Sequence, residues 1–169
     1  WQGACYPFRE GLSTGILNVK FTPEGNLLCG GTNRGWPVRG LKPFALERLE
    51  WTGRTPFEIE KVTINPEGFT LLFTKPVDLS TGKNPANYKV STFTHIYHGG
   101  YGGPEVDQAT PKVTSANLSK DGLTANVFLD KLIQGHVYEF DLASLRSLEG
   151  EKLLHRNAYY TLNEIPSRR

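Results

Sequence analysis

The sequence has no methionine anywhere, two cysteines in 169 residues and a net charge of only +2. No apolar run reaches the roughly 18 residues of a membrane-spanning helix, which excludes a helical span. Nineteen basic side chains against seventeen acidic ones leave no charge excess of the kind that would make nucleic acid or an anionic membrane surface the main partner. Neither G-x-G-x-x-G nor G-x-x-x-x-G-K-[ST] occurs, so the common nucleotide-binding loops are absent. There is no G-x-S-x-G nucleophile elbow and no C-x-x-C-H attachment site for haem. The first ten residues carry Pro7, Arg9 and Glu10 and no apolar stretch, so they do not read as a signal peptide. A chain without methionine that starts on Trp1, inside an aromatic stretch with Tyr6 and Phe8, is expected to be a processed chain or a piece of a longer protein. Cys5 and Cys29 allow one disulfide, but sequence does not show that they meet. In a secreted chain pairing is favoured; in a cytosolic one they stay as thiols.

What the sequence does contain is the composition of a soluble globular protein, 38% hydrophobic and 21% charged. Its length fits one domain, or one domain with an appendage. Three stretches share a grammar: FTPEGNLL (21–28), INPEGFTLLF (64–73) and LSKDGLTANVFL (118–129). Each sets a polar turn ending in glycine between apolar-rich runs, and glycine is expected to supply the positive φ that closes such hairpins. The flanking runs alternate: Val62 and Ile64; Phe69, Leu71 and Phe73; Tyr88 and Val90; Ala125, Val127 and Leu129; Tyr138, Phe140 and Leu142. Period two over short runs predicts half-buried strands. About seven of them between residues 57 and 165 predict a two-sheet sandwich. In LIQGHVYEFDL (132–142) the placing of Tyr138 before an alternating strand matches the tyrosine corner of immunoglobulin-like sandwiches.

Helix signals are few. A short turn is expected around NPANY with Asn84 as its cap. Residues 142–154 read as one or two helical turns or a loop. NAYYTL (157–162) is the expected last strand and EIPSRR a fraying tail. Residues 1–54 have a different texture: strand, PEG turn, strand, then a third strand within 43–53. Such a small sheet has two faces to cover and is poor alone. The predicted fold is therefore all-β, an immunoglobulin-like β-sandwich over 55–169 with a small antiparallel sheet over 1–54, joined through GRTPFE (53–58).

Two segments carry a resemblance. Val19–Phe21, the Pro23–Gly25 turn, Leu27–Thr32 and Arg48–Trp51 together resemble the last blade of the β-propellers of soluble glucose and sorbosone dehydrogenase-like proteins. Phe73–Asp78, Asn87–Tyr88 and Tyr138–Leu142 are similar to bacterial immunoglobulin-like domains that follow such propellers. The resemblance implies a periplasmic or extracellular location and an upstream propeller, or another chain of the same protein, as partner. It implies no cofactor in this chain, since the quinone and calcium sites of that family are spread over several blades.

The candidate residues lie in two loops. Asn33, Arg34 and Trp36 would face a ligand above a blade or pack onto the sandwich. In STFTHIYHGGYGGPEVDQ (91–108), His95, Tyr97, His98 and Tyr101 stand among four glycines. His95 and His98 are weak metal candidates, because residues three apart on a strand point to opposite faces. Glu105 and Asp107 could join them only if the loop folds back. Aromatics beside flexible glycine fit a contact with a neighbouring domain, or a sugar platform. Glu58 and Glu60, flanking Ile59, read as a solvated strand face. The expected function is a non-catalytic accessory or interaction module at the C-terminus of a secreted sugar-dehydrogenase-like protein. A carbohydrate-binding module using Trp36, Trp51, Tyr97 or Tyr101 is the second reading. Part of an oxidoreductase completed by another chain is the third.

Overall fold

The computed structural model describes residues 1–167. Twelve strands and one short helix follow in order: β1 (Gly3–Cys5), β2 (Ile16–Phe21), β3 (Leu27–Thr32), β4 (Phe44–Leu49), β5 (Ile59–Asn65), β6 (Gly68–Phe73), α1 (Leu79–Gly82), β7 (Lys89–His95), β8 (Glu105–Ala109), β9 (Val113–Leu118), β10 (Thr124–Leu129), β11 (His136–Asp141) and β12 (Asn157–Leu162). They form two compact units. One is Trp1–Pro7 together with the chain from Pro56 onward, and the other is Phe8–Thr55.

The larger unit is a β-sandwich. One sheet has the order β5-β6-β10-β9 and the other β1-β12-β11-β7-β8. Lettered A to G with an extra C′ after C, the strands from β5 onward run A-B-E-D in one sheet and G-F-C-C′ in the other. This is the immunoglobulin-like arrangement, and β1 lies outside it, added beside the last strand. The alternation in the sequence now has its cause. Val62, Phe69, Leu71, Phe73, Ala125 and Val127 point inward from one sheet; Val90, Tyr138, Phe140, Ala158, Tyr160 and Leu162 point inward from the other, and all are buried. Leu71 pairs with both Val62 and Ala125 in register, so its side chain meets neighbours on either side. Removing such a side chain is expected to cost about 2–5 kcal/mol.

Loops plug the ends. Residues 142–154 are turns rather than helix, and they drive Leu142 and Leu145 into the core, both fully buried. The NPANY turn is a 3-10 helix, Pro85–Asn87, with Asn84 Oδ1 accepting the Ala86 N–H at 3.1 Å. The buried Tyr88 that follows donates its hydroxyl to the Gly82 carbonyl at 2.7 Å; burial pushes its phenol pKa well above the ordinary value. Tyr138 forms the expected corner. Its hydroxyl accepts the Ile133 N–H at 2.5 Å while the ring is fully buried. Ile165 packs against the core and the Glu164 N–H donates to Gln2 Oε1 at 2.8 Å, so Glu164 and Ile165, at the start of the expected tail, are held. Arg168 and Arg169 lie outside the described residues.

The glycine turns differ from the expectation in one place. Gly25 and Gly122 do take positive φ, +83° and +72°. Gly68 does not. A Cβ there would lie 2.0 Å from the Val127 carbonyl oxygen, so glycine is required by the close approach of β10.

The smaller unit is a three-stranded sheet, β2-β3-β4. Cys29 is buried on one face. Val19 and Phe21, on that same face by register, are largely exposed, as are Phe44 and Leu46 on the other. Both faces thus retain large uncovered apolar side chains, as so small a sheet must.

If the corner bond holds Tyr138, Tyr138→Phe lowers the unfolding free energy by about 1–2 kcal/mol, because the Ile133 N–H loses its partner while packing is kept. Urea denaturation followed by far-UV circular dichroism reads this; an unchanged midpoint would show the bond to be idle.

Candidate functional site

The chemistry-bearing side chains fall in three places. The first is the turn after β3. Arg34 and Gly35 both have positive φ, 51° and 79°, and the Trp36 N–H donates to the Asn33 carbonyl at 2.8 Å. Positive φ at both central positions marks a type I′ turn. Asn33 builds it: its Oδ1 accepts the Gly35 N–H at 3.0 Å. Asn33 therefore has a structural task, whereas Arg34 and Trp36 project into solvent.

The second is the connection between β7 and β8. Ile96, Tyr97 and Tyr101 stand exposed, the tyrosines fully so. His95, Ile96, Tyr97 and His98 with Gly100, Gly102 and Gly103 line an open hollow of about 520 Å³. His98 folds over its own loop, its Nδ1 accepting the Gly100 N–H at 3.0 Å. A Cβ at Gly100 would come within 2.9 Å of that nitrogen, and one at Gly103 within 3.2 Å of Nε2. The glycines thus give room for the imidazole. His95 Nδ1 lies 3.1 Å from the Pro104 carbonyl, which can only accept, so this nitrogen carries the proton. Among the described residues, no three His, Cys, Asp or Glu side chains gather as a metal ion requires. Glu105 instead accepts from Gln108 Nε2 at 3.4 Å, and Asp107 turns elsewhere.

Asp107 marks the third place. It is a non-glycine residue at φ 52° within β8, where the pairing with β7 shifts register between Thr92 and Thr94. Bulges re-aim side chains, and this one sends the carboxylate 3.1 Å from His136 Nε2. His136 is buried, and its other ring nitrogen has no hydrogen-bond partner among the described residues. The carboxylate accepts, so Nε2 is the protonated nitrogen. A second long-range pair was equally hidden in the sequence. Glu58, read there as part of a solvated face, is largely buried; its Oε1 lies 2.5 Å from His155 Nδ1 and its Oε2 accepts the His155 N–H at 3.0 Å. It ties the loop before β12 to the start of β5. Residues 97 apart in sequence leave no local signal.

Cys5 and Cys29 are free thiols, the first exposed on β1 and the second buried on β3. On the outer face of the larger sheet, Tyr159 donates to Glu139 Oε1 at 3.1 Å. Partial burial, then this bond to a carboxylate, raise the Tyr159 pKa. Tyr159 lies beside Cys5 in register.

No protein-family model matches the chain, and no curated protein does. Solved structures do. A crystal structure of the S-layer protein rSbsC is similar over 67% of this chain and 14% of that one, at 26% identity and a TM-score of 0.50. A structure of several domains of surface layer protein SbsC gives 68% and 15% coverage, 24% identity and a TM-score of 0.49. The N-terminal part of the bacterial S-layer protein SbsC gives 67% and 25%, 24% and 0.49. The likeness to rSbsC corrects the resemblance drawn from the sequence: that neighbour is an S-layer protein structure, not a sugar-dehydrogenase propeller. The physical reason is visible in the fold. A propeller blade is a four-stranded sheet, whereas residues 16–49 make three strands. The PEG turn and its flanking strands are grammar that any antiparallel sheet can use.

Asp107→Ala is expected to lower the unfolding free energy by about 1–3 kcal/mol, since the buried His136 N–H loses its acceptor. Asp107→Gly should lose about 1 kcal/mol less, because glycine takes positive φ without strain. Chemical denaturation compares the two; equal losses would mean the bulge stores no strain.

Proposed function

We propose that this chain is a non-catalytic structural and interaction module of a larger extracellular or cell-surface protein. Its similarity to 14% of an S-layer protein's length supports reading it as one module among several in a longer chain. Two domains, 1–54 and 55–169, are the organisation proposed, with the first residues contributing a strand to the second. The observation that carries the reading is the β7–β8 loop. A tightly packed sandwich presents Tyr97 and Tyr101, fully exposed, on a glycine-rich segment next to exposed Ile96. Tyrosine offers a broad amphipathic contact surface at small entropic cost, and glycine lets the segment adapt to its partner. Arg34 and Trp36 offer a second contact point on the smaller unit, where exposed Phe21, Phe44 and Leu46 add apolar surface. The partner is a neighbouring domain or another copy of the same protein. Carbohydrate binding by Tyr97, Tyr101, Trp36 and Trp51 is the alternative the test must separate.

Sedimentation velocity over a hundredfold concentration range tests this. The native chain is expected to sediment faster as concentration rises, and the Tyr97→Ser/Tyr101→Ser double variant to stay near the monomer value with its unfolding midpoint unchanged. A native chain that remains monomeric throughout but is retained on an insoluble polysaccharide through the same tyrosines would replace the proposal with the carbohydrate reading.

A further inference from the structure

The four lateral edges of the two sheets are not alike. The edge strand β5 carries an extra residue between Ile59 and Lys61, β9 one opposite the Phe128–Leu129 step, and β8 one opposite the Thr92–Thr94 step. Bulges of this kind spoil an edge as a template for further pairing. The fourth edge is β12. It pairs with β11 over six consecutive residues without a shift, and its sequence, NAYYTL, has no charge, no proline and no glycine. Such a segment left open is a strong acceptor for another strand. In this structure β1 covers it.

β1 is attached in an unusual way. The immunoglobulin-like strand set is complete without it, and no residue of Trp1–Pro7 belongs to the hydrophobic core. All three of its residues are exposed. What holds it is regular pairing with β12, Gly3 opposite Thr161 and Cys5 opposite Tyr159, plus polar clasps at its ends. Gln2 Oε1 accepts the Asn163 and Glu164 N–H groups at 3.1 and 2.8 Å, and the Tyr6 hydroxyl donates to the Glu60 carbonyl at 2.5 Å. Every one of these bonds can form on any copy of the sandwich. In sequence, a whole compact unit, Phe8–Thr55, separates β1 from the strands it joins.

We propose that Trp1–Pro7 is an exchangeable strand, and that the β12 edge is an interaction surface whose partner is the same segment of a second copy of this chain. Exchange of an identical element between copies costs little, because the strand finds on its partner the same edge, the same pairing and the same polar clasps that it leaves on its own sandwich. Its tether gives β1 an effective concentration at its own edge that other copies must match before exchange competes. Exchange is therefore minor in dilute solution and substantial where copies are crowded. The sheet edges alone carry this proposal, independently of the tyrosine loop.

The test uses the native Cys5 and a Tyr159→Cys substitution. Residues directly opposite on antiparallel strands have Cβ atoms at a separation a disulfide can bridge. Equal amounts of isotope-labelled and unlabelled variant are mixed, incubated at tens of micromolar and at millimolar concentration, and oxidised. Mass spectrometry of the mapped 5–159 peptide pair then counts links within and between chains. The expected result is links mostly within chains when dilute, with the mixed-isotope fraction rising roughly tenfold when concentrated. Links confined to single chains at every concentration would overturn the proposal. A second pair, Gly3→Cys with Thr161→Cys in a Cys5→Ser background, guards against a folding defect of the first. If neither pair cross-links, β1 does not occupy the β12 edge and the proposal falls.

Discussion

Phe69 is the side chain on which the sandwich depends. It stands at the start of β6, opposite Ile64 and Val127 in register, and crosses to the other sheet. There it meets Tyr138, Phe140 and Tyr160 with ring centroids at 5.0, 5.1 and 5.2 Å. The Phe140 and Tyr160 interactions are edge-to-face, a favoured aromatic geometry. One ring thus fixes β6 against β11 and β12 together. Because strand side chains alternate with period two, a one-residue slip of any of the three would turn its ring to solvent. The register of both sheets is locked at this point. Gly68, immediately before, leaves room for the β10 backbone, and the Tyr138 hydroxyl anchors its ring to the turn at Ile133.

Given that clamp, the loops are free to differ in role. Those at 79–88 and 142–154 are drawn into the core through Tyr88, Leu142 and Leu145. The β7–β8 loop contributes nothing to the core cluster and holds its tyrosines outward. A rigid scaffold with one adaptable, aromatic-rich loop is the usual way a sandwich presents a contact surface. β1 sits at the opposite extreme from Phe69, bound by backbone pairing and polar ends without a buried side chain of its own. The proposed roles follow this gradient, with the core as spacer and the weakly held parts as docking elements.

The larger fold was legible because a half-buried strand writes its period into the sequence. Phe69, Leu71 and Phe73, or Tyr138 and Phe140, could hardly be read otherwise, and the corner tyrosine followed from its spacing. β8 was not legible: its bulge breaks the alternation, and EVDQA has no apolar face to display. β1 is three residues with no buried side chain, so no periodicity could mark it. The candidate residues were partly visible. Glycine-flanked tyrosines point to an exposed loop, but the turn duty of Asn33 depends on φ angles, and the His136–Asp107 and His155–Glu58 pairs depend on tertiary approach alone. The propeller likeness failed because strand-and-turn patterns describe a hairpin well and the number of strands in its sheet poorly.

The strand set of the sandwich core is complete without β1, which is an addition to it. Amide hydrogen exchange of the native chain, read by mass spectrometry on peptides, tests this most directly. Protected amides open with free energies that rise from frayed edges to the global value in the core. With a self-sufficient core, β6, β7, β10 and β11 exchange last and together, while β1 exchanges far sooner and without loss of protection in those four strands. Exchange of β1 in step with the core strands would contradict it, since the strand would then be part of the unit it is said only to cover.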